Sequence, residues 1–262
     1  MPFSFDKLPP SSEIVPELEK AGDRAACLDR TEKQKYAQRL SNALAIRFAN
    51  ELRSRFRGIK PDQDGRGQES PARTAKRVKK LDVNYSTPEL GLGLGVSLKT
   101  LNFPDQGSSR YTKNYTRVDG ELRAEASDFH ERQPYAVMIA VVFIPLDTCN
   151  DGIQGPSSFG SCVRVFRYRA GREDPKDDSM LFERVFIGLY DTDEATFGRV
   201  GFFDVMNAPP KHGRPASLIS FAELVAEIVS TYDARNSPPF LWAEGEVEET
   251  PEPPAAEIET DE

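Results

Sequence analysis

Residues 136–146 read AVMIAVVFIPL, a run with no charged or amide side chain. It is far shorter than the roughly 20 apolar residues of a membrane span, and it is rich in β-branched residues. The run is therefore predicted to be a strand covered on both faces. Such a strand cannot lie in a one-sided sheet, so the rest of the chain has to supply helices for both of its faces.

The flanking pattern supplies them. From Glu32 to Arg57, Tyr36, Leu40, Leu44, Phe48, Leu52 and Phe56 recur every four residues, which predicts an amphipathic helix stopped by Gly58 and Pro61. Residues 61–72 read as a polar loop. Two strands are predicted over Arg77–Tyr85 and Leu92–Phe103, joined by a turn at Thr87-Pro88. Asp119 is a candidate N-cap for a helix running to Gln133, before Pro134. Further on, residues 158–169 suit helix or strand, and 181–190 and 199–205 suit strands. Residues 218–232 suit a helix whose core face holds Phe221, Leu224, Val225 and Ile228. No internal repeat is present. The expected class is α/β: a mixed β-sheet flanked by helices, with C-terminal α/β additions. Residues 1–31 read as an N-terminal arm, 32–242 as the domain, and 150–180 as a loop-rich insertion.

Composition excludes several chemistries. Three cysteines (Cys27, Cys149, Cys162) without a C-x-x-C pair encode neither a disulfide framework nor a zinc ribbon. Only His130 and His212 are present, too few for a His-rich metal centre. The start lacks the charged-then-apolar order of a secretory signal. The expectation is a cytoplasmic chain without a membrane segment.

The net charge of −8 comes from two segregated sources. Residues 243–262 hold nine acidic and no basic residues, and without them the chain stands at +1. With three prolines and little apolar content, this segment is predicted to be a disordered acidic tail, either solubilising or competing with a polyanion. Between Thr31 and Gly120 there are 18 Lys/Arg against 9 Asp/Glu. Clusters stand at Arg53-Arg55-Arg57-Lys60 and at Arg73, Lys76, Arg77, Lys79 and Lys80. A basic excess spread over such a length suits a phosphate backbone. In the following loop, Arg110, Tyr111, Lys113, Asn114 and Arg117 interleave aromatics with donors, which suits phosphate or base contact.

One constellation carries chemistry. Asp82 lies in KKLDVNY and Lys99 in GVSLKTLNF, with Ser97 two residues before Lys99 and so on the same strand face. An inward-facing lysine needs a charge partner. Asp82 is one candidate, and Glu121 and Glu125, one turn apart on the next helix, are others. Divalent ions held by carboxylates beside a lysine make a centre for phosphodiester hydrolysis, and hard oxygen ligands favour Mg²⁺ or Mn²⁺. An internal ion-pair network is the alternative. Gly91, Gly93 and Gly95 imitate part of a dinucleotide loop, but no helix follows them.

The succession of helix, Asp82 strand, Ser97-x-Lys99 strand, helix and buried strand resembles the core of the PD-(D/E)XK nucleases, the restriction-endonuclease-like fold, over residues 32–146. Leu81 stands where that pattern has proline, and Ser97 where it has the second acid. The resemblance implies a Ser-x-Lys variant that recovers its carboxylate from the following helix, with Glu121 favoured over Glu125 and Glu51 of the first helix able to reach the metal. It implies a Mg²⁺- or Mn²⁺-dependent endonuclease acting on DNA in restriction or anti-phage defence, as a homodimer on duplex DNA or beside a partner protein. The missing second acid leaves open a catalytically inactive nuclease-fold subunit that binds DNA or a partner.

Overall fold

In the computed structural model, residues 4–74, 78–88, 91–152 and 154–236 are described. Lys76, Arg77 and the acidic tail lie outside them. Five helices, α1 (Val15–Ala21), α2 (Arg30–Leu52), α3 (Tyr115–His130), α4 (Ser158–Phe166) and α5 (Phe221–Arg235), surround two sheets. A small antiparallel hairpin joins β1 (Ser70–Arg73) to β2 (Val78–Leu81). The main sheet has the order β3 (Val83–Thr87), β4 (Gly91–Thr100), β5 (Val137–Pro145), β6 (Arg184–Tyr190) and β7 (Val200–Asp204). The β4–β5 and β5–β6 pairs are parallel, and the outer pairs, β3–β4 and β6–β7, are antiparallel.

The apolar run becomes β5, in the centre of the sheet and fully buried. Its side chains alternate between two cores. Met138, Ala140, Val142 and Ile144 pack with α3 and α4, and Val137, Ile139, Val141 and Phe143 pack with α1, α2 and α5. The mixed sheet with helices on both faces is thus present as expected. Strand β4 divides in the same way. Leu94, Val96 and Leu98 enter the α2 core, which leaves Gly95, Ser97 and Lys99 on the face toward α3.

Several elements differ from expectation for identifiable reasons. The strand expected over 77–85 is interrupted at Asp82, whose Oδ2 accepts the Leu98 N–H at 2.7 Å, so β2 and β3 belong to different sheets. Part of the polar loop at 61–72 is the hairpin strand β1. Helix α3 starts a turn before Asp119. Asp119 is no N-cap but pairs in two hydrogen bonds (2.6 and 2.9 Å) with Arg169. Residues 158–166 are helix, with the Ser157 hydroxyl accepting the Gly160 N–H as cap. Residues 4–29, expected as an arm, are part of the body. Ile14 N–H donates to Gly198 O at 2.7 Å, the Ser12 hydroxyl to Val200 O at 2.6 Å, and Ile14, Leu18 and Ala21 are buried. The glycine pattern of β4 serves packing. A Cβ on Gly95 would stand 2.7 Å from Met138 Sδ of β5, and Gly91 takes φ 78° at the strand start.

Candidate active site at the end of β4

The antiparallel β3–β4 register pairs Val83 with Val96, which puts Asp82 beside Ser97 at the carboxyl end of β4. There α3 crosses the polar face of the strand and presents Glu125. One carboxylate oxygen of Glu125 accepts the Ser97 hydroxyl at 2.5 Å, and the other accepts the Lys99 ammonium at 2.8 Å. Asp82, Ser97, Lys99 and Glu125 therefore meet at one place, supplied by two adjacent strands and the helix that covers them. Ser97 is buried, and the Lys99 and Glu125 side chains are mostly so.

Burial dominates the electrostatics of the group. It pushes the Asp82 carboxyl up to about 6, against the opposing pull of Lys99 and the Leu98 N–H, with Glu125 adding like charge. Lys99 shows the reverse balance. Burial disfavours its ammonium, but Glu125 and Asp82 outweigh burial and raise its pKa above the ordinary lysine value. Lys99 is therefore a cationic donor at neutral pH and unsuited to act as a base.

The donors available to a metal are oxygens: two carboxylates and a hydroxyl, with no sulfur or imidazole among them. Among the described residues no third acidic, His or Cys side chain joins a metal-holding group there. Two carboxylates with water and substrate phosphate are a common way of holding Mg²⁺. Each Glu125 oxygen keeps a lone pair beyond the hydrogen bond it accepts.

Lys99 also lines a cleft of ≈ 1280 Å³ between the first half of α2, the segment after β4 and the start of α3. Five cations, Arg30, Lys33, Lys99, Lys113 and Arg117, face it against Asp29, Asp105 and Glu121. Parallel strands of α/β sheets commonly bind ligands at their carboxyl ends, and this cleft has that position on β4.

The remaining expected site residues are distributed unevenly. Glu121 lines the cleft but is exposed and paired with Arg117, and it is Glu125 that holds Ser97 and Lys99. The structure thus brings Glu125 rather than Glu121 to Ser97 and Lys99, because α3 crosses the strand at the level of position 125, one turn beyond position 121. Glu51 does not join the group. It pairs with Arg47 at 3.1 Å on α2 and faces Glu17 of α1. Lys113, Asn114 and Arg117 line the cleft, as does Tyr111, although its ring is buried and its hydroxyl accepts from Arg24 at 2.8 Å. Arg110 donates to Pro156 O at 3.0 Å. Lys79 is held by Asp128 at 2.5 Å and Lys80 by Glu69 at 2.8 Å, while Arg73 is exposed on β1. Of the first cluster, Arg53 binds the carbonyls of Ile59 and Pro61, and Arg55 pairs with Asp233. His130 is buried beside Glu183 and does not reach the cleft lining. The cations that sequence reasoning passed over, Arg30 and Lys33, were visible in principle. With Gln34, Ala37, Gln38 and Ser41 they form the polar stripe of α2 opposite its core stripe.

No protein-family model matches the chain, and neither a curated protein nor a solved structure matches it.

Proposed function

We propose that the chain is a divalent-metal-dependent endonuclease of the PD-(D/E)XK type that hydrolyses DNA phosphodiester bonds. The observation that carries this reading is the convergence of Asp82, Ser97, Lys99 and Glu125 from separate elements, with Lys99 of that group lining a basic cleft. An ion pair serving stability alone has no need of a cleft lined by five cations. The order of helix, Asp82 strand, Ser-x-Lys strand, helix and parallel buried strand supports the same reading.

Asp82 and Glu125 would hold Mg²⁺ or Mn²⁺, which when bound lowers the pKa of water and offsets charge on the phosphoryl oxygens. Arg30, Lys33, Lys113 and Arg117 bind the phosphate backbone on either side. The Lys99 ammonium would orient the attacking water and stabilise the negative charge that grows on the non-bridging oxygens as the water oxygen bonds to phosphorus and one P–O ester bond breaks, the water giving up a proton to solvent and the leaving oxygen taking one from solvent. Ser97 fixes the Glu125 rotamer. A role in restriction or defence, and action as a homodimer, rest on the family resemblance alone.

The test is cleavage of plasmid and single-stranded DNA with Mg²⁺, Mn²⁺ or EDTA. Lys99→Ala and Glu125→Gln are each expected to cut about 10²- to 10³-fold more slowly, whereas Glu121→Gln stays within a few-fold of the parent. A second reading, a nuclease-fold subunit that binds DNA without cutting it, is favoured by one observation: both Glu125 oxygens are already engaged. Tight binding in EDTA with no cleavage under any metal selects that reading.

A further inference from the structure

Phe103 and Pro104, just after β4, line both the basic cleft and a smaller pocket of ≈ 400 Å³ on its far side. The Phe103 ring is the partition. Lys33 of the cleft lies 5.4 Å from its centroid, and Arg24 of the pocket lies 5.8 Å from it. The Arg24 guanidinium is fixed by three acceptors: Asn102 O and the Tyr111 hydroxyl, both at 2.8 Å, and Thr192 Oγ1 at 3.4 Å. Phe197, on the turn between β6 and β7, also lines the pocket and is 40% exposed. At the rim of the cleft Leu28, the residue before the Asp29 N-cap of α2, is 86% exposed.

A groove that only follows phosphates needs cations and no apolar groups. Here an exposed phenylalanine and a planar cation held rigid line a pocket one aromatic ring away from the cleft, and an exposed leucine lines the cleft itself. Aromatic and guanidinium faces are what an unstacked base binds, and apolar side chains such as leucine are what wedge between bases. We propose that the pocket receives one base of the bound strand, turned out of its stack between Phe197 and Arg24, with Leu28 packed against the neighbouring bases. This rests on the nuclease reading and narrows it. The substrate is single-stranded DNA, or DNA with an unpaired base at the cleavage site, because an intact duplex would first have to lose a pair.

The experiment measures binding of the full chain in EDTA to a short single strand, the same strand with an abasic position, and the blunt duplex. A strand carrying 2-aminopurine is read by fluorescence. The parent protein is expected to bind the single strand about tenfold more tightly than duplex or abasic strand, and to change 2-aminopurine emission at one position. Phe197→Ala, an exposed position, removes both effects and weakens single-strand binding about tenfold. Leu28→Ala weakens it less. Equal affinity for duplex and single strand, or no change in Phe197→Ala, overturns the proposal while Lys99-dependent cleavage stands. Free deoxynucleoside monophosphate bound as tightly as the strand also overturns it, making this a mononucleotide site. If no DNA is bound or cut at all, the nuclease reading falls as well.

Discussion

Asp82 is the residue at which site and stability conflict. Its carboxyl titrates at about 6 in the folded chain against 3.8 for an ordinary aspartate, because burial opposes its charge. Folding therefore takes up a proton between those two values. The contribution of Asp82 to stability is full below the unfolded pKa and is lost as pH rises through 6. At pH 7.5 the metal-free protein carries a buried carboxylate at a cost of up to about 3 kcal/mol, taking about 1.4 kcal/mol per pKa unit. Asp82→Asn is expected to raise the urea midpoint in EDTA at pH 7.5, with the gain vanishing near pH 4, and to abolish cleavage. Added Mg²⁺ should raise the midpoint of the parent protein but not of the variant, since only the parent gains from binding a cation. A variant less stable than the parent at pH 7.5 would show that Asp82 is held as a structural anion.

At the scale of elements, the other end of the sheet is tied by a second buried carboxylate that takes no part in the cleft. Glu183, in the lead-in to β6, accepts the Met138 N–H of β5 at 2.7 Å with one oxygen. With the other it accepts from Arg172 at 3.3 Å and from Arg235 of α5 at 3.2 Å. His130, at the end of α3, has Nε2 3.5 Å away. Burial would raise the Glu183 carboxyl, but His130, the Met138 N–H and Arg235 outweigh it and hold it low. Removing the anion strands Arg172 and Arg235 beside each other with little solvent. Glu183→Ala is thus expected to lose about 3–5 kcal/mol in urea unfolding, with faster amide exchange in the last turns of α5. A loss under about 1 kcal/mol would mean that water reaches the two guanidinium groups. Little of this tie was legible in the chain, because Glu183, Arg172, Arg235 and His130 are far apart in sequence and share no periodicity. The elements were legible where periodicity was strong, as in β5, α2 and α5. The choice between Glu121 and Glu125 was not, because both lie on one helix face one turn apart, and only the packing of Tyr115 and Val118 fixes which turn of α3 stands over Ser97 and Lys99. Asp82, Ser97 and Lys99 were legible because strand alternation alone puts the last two on one face, and a buried lysine demands an acid.

For the molecule as a whole, what matters is where the positive charge sits, and a count of lysines and arginines along the chain does not give it. The cluster from Arg53 to Lys60 holds four cations in eight residues, yet Arg53 and Arg55 are spent on carbonyls of the α2 exit and on Asp233 of α5. Arg30 and Lys33 alternate with Asp29 and Glu32 in sequence but stand on the cleft wall with Lys113 and Arg117. Each phosphate contact contributes about 0.9 to the slope of log K against log salt on duplex and about 0.7 on a single strand. The double substitution Arg30→Gln, Lys33→Gln is therefore expected to lower the salt slope of DNA binding by about 1.4 on a single strand and about 1.8 on duplex. Arg55→Gln, exposed but paired away from the cleft, should leave the slope unchanged. Binding isotherms in EDTA over a salt series measure both, and an equal effect of the two changes would put the strand on the α2 exit instead. Because the loss is electrostatic, it should be nearly the same for every DNA sequence, whereas the base-pocket change Phe197→Ala should leave the salt slope in place and alter only the preference for an unpaired base.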